Sequence, residues 1–117
     1  MSDIDNLRII EPTGMLSGAT SHVLTQALNE CLEARTKHVL VDLSNVEFID
    51  SSGLGTLVSM HTRLRLADAK LYLCSPKDQA RNLFDISDTD RIFDIYNSRS
   101  EFIGIVIKRN QAVILPQ

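Results

Sequence analysis

The stretch Phe48-Ile49-Asp50-Ser51-Ser52-Gly53-Leu54-Gly55-Thr56 passes from the end of an apolar strand into a helix. The first N–H groups of a helix have no intrahelical acceptor, and the helix dipole adds positive potential there. A serine at that point can cap the helix, or it can carry a phosphate that the dipole favours. Gly53 and Gly55 need a different reason. Glycine costs about 1 kcal/mol against alanine within a helix, so two of them in the first turns imply that another backbone comes close. That backbone belongs either to a neighbouring strand or to a partner protein. Spacing alone favours the strand.

Before this stretch, residues 39–43 form an almost continuous apolar run, the pattern of a strand covered on both faces. After it, a helix is expected over 52–67, with His61 on the same face as Leu54, Leu57, Val58 and Leu64. A lone histidine on such a face is more often a core residue than a ligand. Residues 7–11 read as a strand, closed by the turn signal Pro12-Thr13-Gly14. Val23, Leu24, Ala27, Leu28, Cys31 and Leu32 then recur at helical spacing, with Thr20 or Ser21 as N-cap. A strand is expected over 70–74. Ser75-Pro76-Lys77-Asp78 starts a helix, with serine at the N-cap and proline at the first position, and Ala80, Leu83, Phe84 and Ile86 on its buried side. A further strand is expected over 91–96. Strands alternating with helices at these intervals imply parallel pairing and right-handed crossovers. The expected fold is α/β: a small mixed or parallel sheet of four to five strands flanked by helices.

The end of the chain is harder to read. Phe102-Ile103-Gly104-Ile105-Val106-Ile107 is β-prone, Lys108-Arg109-Asn110-Gln111 is polar, and Ala112-Val113-Ile114-Leu115 is apolar again. This pattern favours a C-terminal β-hairpin, with a helix through 99–108 as the alternative. Two added apolar strands would leave open pairing edges, so self-association as a homodimer through this segment is expected.

At 117 residues, with 44% hydrophobic and 23% charged residues, the chain is expected to form a single domain over 1–117. Its core would span about 7–100 and its C-terminal extension 101–117. A formal charge of −3 gives no footprint for nucleic acid or an anionic membrane. No apolar run approaches the roughly 20 residues of a membrane span, and Met1-Ser2-Asp3-Ile4-Asp5 lacks the apolar region of a signal peptide. A cytoplasmic location is expected. Cys31 and Cys74 form neither a disulfide framework nor a metal site by spacing and read as small buried hydrophobes. No metal and no cofactor are implied.

Asp50-Ser51-Ser52-Gly53-Leu54-Gly55 after an apolar strand resembles the signature of STAS domains, in particular the bacterial anti-sigma factor antagonists. The resemblance extends over roughly residues 7–100. Gly14-Met15-Leu16-Ser17 stands where the family has Gly-x-Leu-Asp, His38 to Ser44 matches its central strand, and Ser75-Pro76 through Leu83-Phe84 matches its third helix. The resemblance implies that Ser51 is the phosphorylation site, with Asp50, Ser52, Gly53 and Gly55 around it contacting the partner. Ser17 replaces the family's aspartate, which contacts the kinase; here it is either a partner contact or a plain turn residue. The implied partners are an anti-sigma factor that is also an ATP-using serine kinase, and a serine phosphatase that resets the switch.

Phosphoserine carries about −1.5 to −2 charges, tolerated at a helix start yet disruptive on a docking face through repulsion and desolvation. The chain itself then catalyses nothing. A serine enzyme would need a base and an oxyanion site beside Ser51 or Ser52, and no Gly-x-Ser-x-Gly elbow is present. The alternative function is a STAS sensor or scaffold in another partner-switching complex.

Overall fold

Strand β3 (His38–Asp42) lies between β1 (Leu7–Ile10) and β5 (Lys70–Cys74), and its apolar run is buried on both faces. The computed structural model describes residues 6–108. The main sheet has the order β1-β3-β5-β6, with β6 at Asp94–Tyr96, and every neighbouring pair is parallel. Alternation divides the side chains between two layers. Val39, Val41, Leu71 and Leu73 face the larger core, which is shared with α1 (Ser21–Glu33), α2 (Ser51–Leu66) and α3 (Asp78–Ile86). Leu40, Tyr72 and Cys74 face the opposite side. Both cysteines are free and buried.

A second sheet pairs β2 (Gly14–Leu16) with β4 (Val46–Ile49), again in parallel, with Met15 opposite Phe48 and Leu16 opposite Ile49. The turn signal at 12–14 was expected to end β1. It does so and leads at once into β2, where Gly14 has φ +77°, a conformation that favours glycine. Val46 and Ile49 are buried while Glu47 and Phe48 are exposed, a pattern too short to separate from a loop by periodicity.

Four expectations change. The helix at Ser75-Pro76 begins later, at Asp78. Ser75 has φ +58° and its N–H donates to Tyr96 O at 3.0 Å, so it extends the β5–β6 ladder and does not cap α3. Ile86 is 81% exposed, and Val23 is 53% exposed. The strand at 91–96 is shorter: Thr89–Arg91 is a 3-10 turn, and pairing covers only Asp94–Tyr96.

The fourth change is at the C-terminus. Residues expected as the first hairpin strand form a helix: α4 (Arg99–Phe102) runs on into a π-helical stretch, Ile103–Ile107. Phe102, Val106 and Ile107 cover Leu40, Tyr72 and Cys74 on the second face of the sheet. Residues 102–107 therefore cover the sheet as a helix and offer no strand edge of their own for pairing with a second chain. The other expected strand, 112–115, lies outside the described residues. Ser98 caps this helix by accepting the Glu101 N–H at 3.0 Å, and Glu101 Oε1 accepts the Asn97 N–H at 2.8 Å. Arg99 fastens it to the sheet, donating to Asp42 Oδ2 through Nε (3.1 Å) and Nη2 (2.8 Å) and pairing with Glu11 at 3.0 Å. Burial alone would raise the Asp42 pKa. The Ser44 amide and the Arg99 guanidinium outweigh it and hold the carboxyl below its usual range.

Candidate functional site

Helix α2 starts at Ser51 because Asp50, in extended conformation, turns its carboxylate back to accept the Gly53 N–H at 2.8 Å. Asp50 is therefore the N-cap, not merely an acid near the dipole, and neither serine caps the helix. Ser51 and Ser52 are both exposed at the first two helical positions. Their hydroxyls are left to solvent beside N–H groups that lack intrahelical acceptors.

The two glycines separate cleanly. Gly53 is buried, and a Cβ built on it would lie 2.7 Å from the Leu16 carbonyl carbon and 2.9 Å from Leu16 Cβ. Such contacts with backbone cannot be relieved by a side-chain rotation, so the end of β2 requires glycine at this position. This is the neighbouring-strand explanation. Gly55 is exposed, and a Cβ there would meet nothing within 4 Å. Nothing among the described residues requires it to be glycine.

The same approach of β2 brings the following loop beside the serines. Asp50 N–H donates to Leu16 O at 3.1 Å, joining the two strand ends. Ser17 and Gly18 follow directly, and a Cβ on Gly18 would lie 3.7 Å from Ser52 Oγ. Ser17 is half-buried. Its carbonyl accepts the N–H groups of Thr20 and Ser21 and the Ser21 hydroxyl, so its backbone starts α1. Thr20 holds the loop closed by donating to Met15 O at 2.6 Å and accepting the Ser17 N–H at 3.0 Å. Thr20 does sit at the N-cap of α1, yet its side chain makes no capping bond. Sequence reasoning passed over this loop role, for which a threonine three residues after a serine was the available signal.

On one flank the site is apolar: Met15 and Phe48, opposite each other across β2 and β4, are 51% and 41% exposed. His38 lies against Tyr72 and His61 against Phe93, and no histidine shares a hydrogen bond with Ser51 or Ser52. Among the described residues no group of three or more His, Cys, Asp or Glu is placed to hold a metal ion. Nor, among them, is any helix long and apolar enough to cross a membrane.

A parallel α/β sheet with a capped serine corner at the start of its second helix defines a recognised class. The family described as the STAS domain matches residues 1–102, and the chain belongs to it. The chain is 31% identical over 103 residues to the anti-sigma-B factor antagonist of Listeria monocytogenes, covering 87% of this chain and 89% of that protein. It is 26% identical over 91 residues to the anti-sigma F factor antagonist of Paenibacillus polymyxa, covering 77% and 78%. Among solved structures, the Thermotoga maritima protein TM1081 superposes with a TM-score of 0.80 at 26% identity, covering 87% of this chain and 88% of the other.

Proposed function

We propose that this chain is an anti-sigma factor antagonist: a cytoplasmic, single-domain module over 1–117 that binds an anti-sigma factor when Ser51 is unmodified and releases it when Ser51 carries phosphate. The bound anti-sigma factor is also a serine kinase. It transfers the γ-phosphoryl group of ATP to Ser51 Oγ: the new P–O bond forms as the bond to the β-phosphate oxygen breaks. ADP leaves, and the hydroxyl proton passes to a base on the kinase. A serine phosphatase hydrolyses the ester and resets the switch. The chain contributes no catalytic group and touches no nucleic acid; its effect on transcription runs through the partner.

The observation that carries this reading is the pairing of an exposed Ser51, at a helix start capped by Asp50, with an exposed Gly55 one turn on that no internal contact requires. A phosphate at Ser51 meets the positive end of α2 and leaves the Asp50–Gly53 hydrogen bond intact, so the fold tolerates it. The same charge on a docking face disfavours a partner through repulsion and desolvation. Ser52 and Gly55 present the docking surface, Ser17 adjoins it from the β2–α1 loop, and Asp50 and Gly53 hold the corner in shape. Exposed Met15 and Phe48 give that face an apolar flank of the kind partner surfaces bury.

Affinity capture from native lysate, with mass spectrometry of both the bound protein and Ser51, tests the reading. Capture of an ATPase of the histidine-kinase type, with phosphate appearing on Ser51 when ATP is supplied, is expected. Phosphate on Ser52 alone, or no ATP-dependent modification, would refute it.

A further inference from the structure

Ile49, the last residue of β4, is fully buried, and its backbone N–H and C=O point away from β2. The direction follows from alternation: the next residue, Asp50, donates its N–H towards β2, to Leu16 O. Among the described residues no strand lies on the outer side of β4. Buried backbone groups at a bare edge are costly unless paired. Both are paired here by one side chain. Gln79, on the first turn of α3, accepts the Ile49 N–H through Oε1 at 2.8 Å and donates through Nε2 to Ile49 O at 2.8 Å. A side-chain amide carries an acceptor and a donor on adjacent atoms, and the two backbone partners fix which end is oxygen. Close by, Lys77 Nζ pairs with Glu47 Oε2 at 2.7 Å, a second tie between the start of α3 and β4.

We propose that Gln79 is the positioning residue of the Ser51 corner, standing in for a missing strand at Ile49 so that the chain leaves β4 in one geometry. Asp50 is held from the β2 side by Leu16 O, and Ile49 is held from the opposite side by Gln79; Ser51 follows directly. With one of these clamps released, the hydroxyl samples a wider arc. Phosphoryl transfer depends on in-line placement, and a misplacement of about 1 Å can cost on the order of a hundredfold in rate. This role rests on the reading of Ser51 as the phosphoacceptor.

Gln79→Met keeps the length of the side chain and removes both polar atoms; Gln79→Glu keeps an acceptor for the Ile49 N–H and loses the donor to Ile49 O. Two readouts are taken on the full chain. The first is residue-resolved amide hydrogen exchange, comparing Ile49 and Gly53 with Leu40 and Leu71 in the central strands. The second is steady-state transfer of labelled phosphate from ATP into Ser51 by the ATPase captured from lysate. For Gln79→Met, exchange at Ile49 and Gly53 should rise at least tenfold while Leu40 and Leu71 stay within twofold. The kcat for phosphate uptake should fall at least tenfold, with KM within about twofold. Gln79→Glu should fall between this variant and wild type in both, and it carries the test if Gln79→Met does not fold. Unchanged exchange at Ile49 and Gly53, a parallel rise throughout the sheet, or wild-type kcat despite local loosening would each overturn the assignment. If wild-type Ser51 takes no phosphate, the functional reading fails separately, and the exchange comparison alone decides whether Gln79 fixes the corner.

Discussion

Gly53→Ala and Gly55→Ala are the same chemical change two residues apart on α2, and they should move stability in opposite directions. At Gly53 the new methyl would lie 2.7 Å from the Leu16 carbonyl carbon and 2.9 Å from Leu16 Cβ. Overpacking of this kind costs typically about 1–3 kcal/mol. The obstructing group is the strand end that accepts the Asp50 N–H at 3.1 Å, so a shift large enough to relieve the clash also weakens a hydrogen bond worth about 1 kcal/mol. The gain in helix propensity, at most about 1 kcal/mol, offsets only part of this. A net loss of about 2 kcal/mol is expected. At Gly55 a Cβ meets nothing within 4 Å, so the propensity term acts alone and should add about 0.5–1 kcal/mol. Urea unfolding of the two variants and wild type measures both, with equal m-values showing that the unfolding transitions are comparable. Two shifts of the same sign, or a Gly53→Ala variant within about 0.5 kcal/mol of wild type, would refute the close approach of β2 to α2.

Ser51→Ala should unfold within about 0.5 kcal/mol of wild type, because Asp50 caps α2; label from ATP entering the variant at the wild-type rate would pass the acceptor role to Ser52. Gly55→Leu should weaken capture of the partner at least tenfold, about 1.4 kcal/mol, with an unchanged far-UV spectrum, whereas a loss of stability without a binding defect would return Gly55 to a packing role. Phe102→Ala should cost about 3–4 kcal/mol by denaturant titration, since Phe102 is fully buried against the second face of the sheet. Asp42, whose pKa is lowered in the fold, contributes stability that is complete above its unfolded value near 3.9 and is lost as pH falls towards the depressed folded value. Arg99→Met should therefore flatten the stability–pH curve below about pH 4 and cost about 1–2 kcal/mol at pH 7, less than for a fully buried pair because the Arg99 side chain is 37% exposed.

The main sheet was legible because its central strands, covered on both faces, read as unbroken apolar runs. The α1 and α2 helices were legible because their buried residues recur at helical spacing. The end of β4 at Phe48-Ile49 was legible, but β2 and its pairing with β4 were not, since a strand of three residues carries too few positions to show a period. The C-terminal segment shows propensity losing to tertiary packing. Isoleucine and valine favour strands in isolation, yet Phe102, Val106 and Ile107 are spaced to cover one face of a sheet from a helix. A signal for that helix was present in Ser98-Arg99-Ser100-Glu101, the spacing of a capping box; the β-branched run after it put the helix through 99–108, the alternative that the structure bears out, second to the hairpin. At the site, the motif pointed to the corner, but it did not separate the two glycines or identify Asp50 as the cap. Gln79 carried no local signal, because its partners lie 30 residues away in sequence.

The central claim is that one phosphate on Ser51 separates the protein from its partner without unfolding it. Calorimetric titration of the captured ATPase with unmodified protein and with protein bearing stoichiometric phosphate on Ser51 tests this most directly. At least a tenfold loss of affinity, about 1.4 kcal/mol, is predicted, with both forms sharing the same far-UV spectrum. Equal affinity of the two forms would contradict the account.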